Sequence, residues 1–211
     1  MIKNAVRGVV LGGTAWQDDL STSPPGNNAT GTLYTRTYVD NLLKGGGKIE
    51  ATYGIFRNCA KGVVWNPMNA FSNGSKLSHT KFEFTAPLAD ALYKTSDDGP
   101  SKNATASELA CQLRAIKDVS FYNISCINSM ADGLFPVQRN RPTGIYAVDS
   151  KFSVNGGAAN PHYSKLYVGV ESASAIGGAA STLSITSNFS NVYQGVNVRG
   201  NITPIISACQ F

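Results

Sequence analysis

Short alternating runs of apolar and polar residues, many opened by a glycine, set the rhythm of this chain. Leu183 to Gly200, LSITSNFSNVYQGVNVRG, shows the unit most fully. A strand carries Leu183 and Ile185 on one face, a turn follows around Asn188, then a Phe189-Ser190-Asn191 corner, then Gly195-Val196-Asn197-Val198. Strand residues alternate between faces, so Val196 and Val198 share one side and Asn197 takes the other. Glycine permits close backbone approach at the corner, and asparagine tolerates the left-handed conformation of a tight turn. The same order recurs from Asn4 through Gly8 to Val9-Val10-Leu11, and from Phe56-Arg57-Asn58 to Gly62-Val63-Val64-Trp65. A looser copy runs from Phe121-Tyr122-Asn123 to Gly133-Leu134-Phe135, shorter ones begin at Gly144 and Gly169, and Ile206 to Phe211 reads as one more opening half.

A unit this short cannot bury its apolar face alone, and stacked neighbours must make the core. The pattern therefore predicts an all-β chain, a single right-handed parallel β-helix with loop insertions. A β-sandwich also alternates between turns, but it has no reason to repeat Phe-x-Asn-x-x-x-Gly-Val. Alternation assigns Val9, Leu11, Val63, Trp65, Leu134, Ile145, Ala147, Val170, Val196 and Val198 to the core. It turns the middle residue of each glycine-led strand outward: Val10, Val64, Phe135, Tyr146, Glu171 and Asn197. Phe56, Phe82, Phe121, Phe152, Phe189 and Phe211 read as one series before the corners, irregular because rungs carry loops of different length. The largest interruptions are about 17–31 and 85–107, both rich in turn residues; the second is placed to fold over the outward stripe. The chain starts inside one coil and stops inside another, which predicts that residues 1–211 are a β-helix domain within a longer protein.

Composition agrees with a β-rich, turn-rich chain. Of 211 residues, 42% are hydrophobic and only 15% charged, with 21 glycines. The net charge of +5 is spread along the chain, the basic turn Arg139-Asn140-Arg141-Pro142 apart, so nucleic acid is not an expected partner. No run of about 18 apolar residues exists, so no membrane span is expected. Cys59, Cys111, Cys126 and Cys209 form no CxxC pair, which argues against a zinc or redox site. They read as buried thiols, with a Cys111–Cys126 disulfide the alternative in a secreted protein.

The succession IFRNCAKGVVW (55–65), KFEFTAPLAD (81–90), GIYAVDSKFSVNG (144–156), KLYVGVESAS (165–174) and SITSNFSNVYQGVNVRG (184–200) resembles the right-handed parallel β-helix segments of large secreted Bacteroidetes surface proteins. Those proteins usually carry a C-terminal type IX secretion sorting domain. The resemblance implies export, cell-surface or extracellular residence, and further domains in the same chain. It implies no particular activity, because the wider β-helix class holds lyases, hydrolases and adhesins alike.

Chemistry narrows the functional classes only partly. The acidic doublets Asp18-Asp19 and Asp97-Asp98 lie in loops, and neither His79 nor His162 stands between glycines. Asp132, Asp149 and Glu171 come from successive rungs and suggest an acidic line, but only Glu171 holds an outward middle position. No catalytic residue, metal or cofactor is assigned; calcium enters only if the chain is a lyase. An outward aromatic and polar stripe is an interaction surface. Phe135 and Tyr146 are suited to stack on sugar rings, with Glu171, Asn197 and Arg199 hydrogen-bonding hydroxyls. The expectation is an adhesin-like scaffold contacting polysaccharide or cell-surface glycan, the alternative a β-helix polysaccharide lyase or glycoside hydrolase.

Overall fold

A computed structural model describes residues 1–5, 7–11, 48–65, 74–86, 108–134, 141–156, 162–174 and 181–211. Among these residues, eighteen strands wind through six coils of three. The first coil holds β1 (Ile2–Lys3), β2 (Arg7–Leu11) and β3 (Glu50–Thr52), the second β4 (Ile55–Arg57), β5 (Lys61–Trp65) and β6 (Lys76–Ser78). β7 (Lys81–Phe84), β8 (Leu109–Arg114) and β9 (Val119–Tyr122) make the third; β10 (Ser125–Asn128), β11 (Thr143–Val148) and β12 (Phe152–Asn155) make the fourth. The last two are β13 (Tyr163–Ser164), β14 (Val168–Ala173) and β15 (Ser181–Thr186), then β16 (Phe189–Ser190), β17 (Gln194–Arg199) and β18 (Ile202–Ile206). Equivalent strands pair in parallel into three six-stranded sheets: sheet A from β1 to β16, sheet B from β2 to β17, sheet C from β3 to β18. The chain is a parallel β-helix, as its alternation predicts. The expected insertions at 17–31 and 85–107 lie outside the described residues, Thr85 and Ala86 excepted.

Register turns alternation into columns. In sheet A, Ile2, Phe56, Phe82, Cys126, Tyr163 and Phe189 stand in line. Phe56 stacks on Phe82 and Tyr163 on Phe189, each at 5.0 Å, and Phe211 continues the series 5.2 Å from Phe189. Phe121 and Phe152 belong elsewhere: they are buried in sheet C, packed edge to face at 6.2 Å. The phenylalanine series read along the chain is thus two series, and its uneven spacing follows from that as well as from loop length.

Beside the ring column runs a column of small residues in sheet B: Gly8, Gly62, Ala110, Gly144, Gly169 and Gly195. Each glycine meets the ring of the next coil. A Cβ on Gly8 would lie 2.9 Å from Phe56, on Gly62 2.7 Å from Phe82, on Gly144 2.9 Å from Tyr163, and on Gly169 and Gly195 2.5 Å from Phe189 and Phe211. Real Cβ atoms do not approach that closely, so the ring excludes a side chain there, and at Gly8, Gly62, Gly144 and Gly169 a backbone carbonyl of the next coil, within 2.7 Å of the same Cβ, excludes it as well. Ala110 is the exception, and by register the residue it meets is Cys126, the small member of the sheet A column.

This exchange explains one misreading. β8 lacks the opening glycine, so its start at Leu109 is not visible in the pattern. At the looser copy, Asp132–Leu134 form a short 3-10 turn rather than a strand, Phe135 lies outside the described residues, and Leu134, expected in the core, is 55% exposed. The other nine residues expected in the core pack there, Val9, Val196 and Val198 only partly buried and Ser172 completing the column of Trp65, Leu113 and Ala147. The run from Leu77 to Phe84 is two strands, broken where His79 adopts φ 50°.

Corners carry the polar accounting. Asn4, Asn58, Asn123 and Asn191 take positive φ as expected. Buried Asn58 accepts from the Thr85 and Ala86 amides at 2.8 and 3.1 Å, and buried Asn128 donates to the Lys165 carbonyl at 2.9 Å, so corner backbone groups are satisfied inside the coil. All four cysteines are free thiols. Burial pushes Cys59, Cys111 and Cys126 upward, which leaves them protonated and inert.

Tyr163 is the polar defect of the ring column, its hydroxyl buried without a partner. An unsatisfied buried hydroxyl costs about 1–3 kcal/mol. Tyr163→Phe keeps the ring and is expected to raise unfolding free energy by about 1 kcal/mol in denaturant titration; an unchanged or lower value would mean that the hydroxyl is satisfied.

Candidate functional site

Sheet B carries the residues expected to face outward, on one ladder. Val10, Val64, Gln112, Tyr146, Glu171 and Asn197 pair in that order. Tyr146, Glu171 and Asn197 are therefore direct neighbours on three consecutive coils. Phe135 lies outside the described residues, and Gln112 holds the rung assigned to it. Val64 and Gln112 are buried; the ladder is open at Val10 on one side of them and from Tyr146 onward on the other, where Tyr146, Glu171 and Asn197 are half-buried. Arg199 stands two residues beyond Asn197 along β17, and its Nη2 donates to Glu171 Oε1. The Glu171 side chain is 13% exposed and that of Arg199 61%. Glu171 is thus an anchor that holds the guanidinium over the face, beside half-buried Asn197. The face offers a ring, an amide and an oriented cation within three rungs, which lie about 4.8 Å apart.

A second concavity sits at the junction of sheets A and B. It has a volume of about 470 Å³ and is lined, among the described residues, by Asp132, Arg141, Lys165, Asn191, Val192 and Tyr193. Arg141 Nη2 donates to Asp132 Oδ1 at 3.1 Å, with the arginine side chain 18% exposed and the aspartate 63%. Tyr193 stacks on Tyr167 at 5.4 Å with ring planes 11° apart. Sequence spacing gives no sign of this grouping, because its members come from corners of three coils; only the basic turn around Arg141 stands out in the chain. A groove of about 510 Å³ on sheet C presents the outward column Ser120, Ser153 and Ser184 beside exposed Ile205, with Lys151 and Asp118 paired at 3.6 Å on its rim.

The acidic line expected from Asp132, Asp149 and Glu171 does not form. Asp132 is in the turn before β11, Asp149 is in the left-handed corner after it, and only Glu171 is on the outward ladder. Among the described residues, no three His, Cys, Asp or Glu side chains converge as metal ligands. His79 is a corner residue, stacked on Tyr53 at 5.0 Å and edge-on to Tyr122 at 5.5 Å. His162 is buried at the corner of sheets C and A, Nε2 2.8 Å from Asn123 Oδ1. With Nε2 donating to that oxygen, Nδ1 is the unprotonated nitrogen, and it is buried without a partner.

No protein-family model matches this chain, and no curated protein or solved structure does either. Its chemistry rests on its own geometry.

Burial lowers the His162 pKa from the ordinary value of 6.5, because a proton on Nδ1 would place an unpaired charge inside the coil. The folded pKa is below the unfolded one, so the unfolded chain takes up the proton first as pH falls. Stability from this residue is full above pH 6.5 and declines as pH drops below that value toward the folded pKa. Melting curves between pH 7.5 and pH 5 are expected to show a falling Tm that His162→Gln flattens; the same slope in both proteins would remove His162 as the cause.

Proposed function

We propose that this β-helix is an extracellular or cell-surface scaffold, adhesin-like, whose sheet B face contacts glycans. The observation that supports the reading is the ladder of Tyr146, Glu171 and Asn197 on consecutive coils, with Arg199 held over it by Glu171. An aromatic ring packs against the apolar face of a sugar, and fixed amide and guanidinium donors select its hydroxyls. The parallel coil supplies the rigidity, because each rung is hydrogen-bonded to the next and the outward side chains keep a constant spacing. Residence outside the cell, export of the type IX kind and further domains in the same chain are supported by the resemblance of the repeat sequence to secreted surface proteins.

A glycan array run beside an assay for new reducing ends and unsaturated products tests this reading. Binding without turnover is expected, with affinity about tenfold weaker in Tyr146→Ala, the scale of one lost aromatic contact of about 1.4 kcal/mol. Turnover of a bound polysaccharide would replace the scaffold by a lyase or hydrolase. Binding untouched by Tyr146→Ala would move the contact off this face.

A further inference from the structure

We propose that the cleft at the junction of sheets A and B binds a sugar bearing a carboxylate. This site is separate from the sheet B ladder and stands independently of it. Its floor carries two cations and one acid: Arg141, Lys165 and Asp132. The sum is one positive charge, which a single carboxylate neutralises and a doubly charged phosphate would overshoot.

Arg141 is prepared for such a ligand. Its side chain is mostly buried, which fixes the guanidinium, and Asp132 engages one arm of a group that has five donors. The Nε is already desolvated and has no partner, so the protein has met part of the cost of dehydrating this cation before any ligand arrives. Among the described residues no acidic side chain meets the Lys165 ammonium. Lys165 also occupies a costly position. The equivalent corners of the first, second and sixth coils hold Asn4, Asn58 and Asn191, the residue type that a left-handed backbone favours, whereas Lys165 adopts φ 54° without that advantage. A charge is kept where an asparagine would fold more easily.

The remaining wall suits a sugar ring. Tyr193 is 58% exposed, and stacking on Tyr167 from the preceding coil holds its ring still. The Asn191 amide adds a donor and an acceptor for hydroxyls. At about 470 Å³ the cleft is within the range of small-ligand sites. Carboxylate recognition by paired cations beside an aromatic platform gives both affinity and selection against the neutral sugar.

The test is calorimetric titration of the full chain with sialyllactose and, as its neutral counterpart, lactose. Sialyllactose is expected to bind at least tenfold more tightly, with an affinity that falls as salt is added. Lys165→Asn is expected to weaken sialyllactose about tenfold while leaving Tm unchanged or higher, and Tyr193→Ala to weaken it too. Tyr146→Ala is expected to leave it unaltered, which separates this site from the sheet B face. Equal binding of the two sugars, no binding of either, or full sialyllactose affinity in Lys165→Asn would each overturn the proposal.

Discussion

Everything in this coil depends on one sharing of space: the rings of sheet A occupy the volume that side chains of sheet B give up. Each ring from Phe56 to Phe211 meets a glycine of the preceding coil, at distances no Cβ could tolerate. The rule shows itself again where it is broken. Cys126 interrupts the rings, and at that level alone the glycine becomes Ala110. The smaller Cys126 side chain leaves room for the methyl that the glycine column gains at that level, so the two columns change together.

With the rungs fixed, corners must absorb what the strands cannot. The chain turns through residues with positive φ, and several are not the glycine or asparagine that such turns prefer: Tyr53, His79, Ala115, Asp149 and Lys165 among them. Each costs of order 1 kcal/mol or more. The stacked core offsets this, since each fully buried aromatic or aliphatic side chain contributes about 1.5–3 kcal/mol. Two of the polar pairs, His162 on Asn123 and Arg141 on Asp132, are at corners, whereas Arg199 on Glu171 joins neighbouring strands on the outward face of sheet B.

The strands were readable in advance because alternation has a period of two and glycine marks their start. Val63, Ile145, Val170 and Val196 form the inward column expected of them, and Tyr146, Glu171 and Asn197 the outward one. In the third coil β8 is not readable, since Ala110 carries no mark, and in the fourth Gly133 carries a false one. Phe121 and Phe152 fall into one sequence series with the sheet A rings because a single residue type serves two sheets. The corner cleft was hidden for a different reason. Asp132, Arg141, Lys165 and Tyr193 become neighbours only through stacking, and their separation along the chain reflects loop lengths rather than geometry. A stack thus writes its faces into the sequence and leaves its corner sites out.

The most direct measurement of this account is a double-mutant cycle in denaturant on Cys126→Phe and Ala110→Gly. Alone, Cys126→Phe forces a ring against the Ala110 methyl and is expected to cost about 1–3 kcal/mol. With Ala110→Gly in place, the new ring completes the stack between Phe82 and Tyr163, the cost vanishes, and the two changes show a coupling of about 1 kcal/mol or more. Additive effects, with Cys126→Phe as harmful beside glycine as beside alanine, would contradict the claim that ring and glycine specify one another.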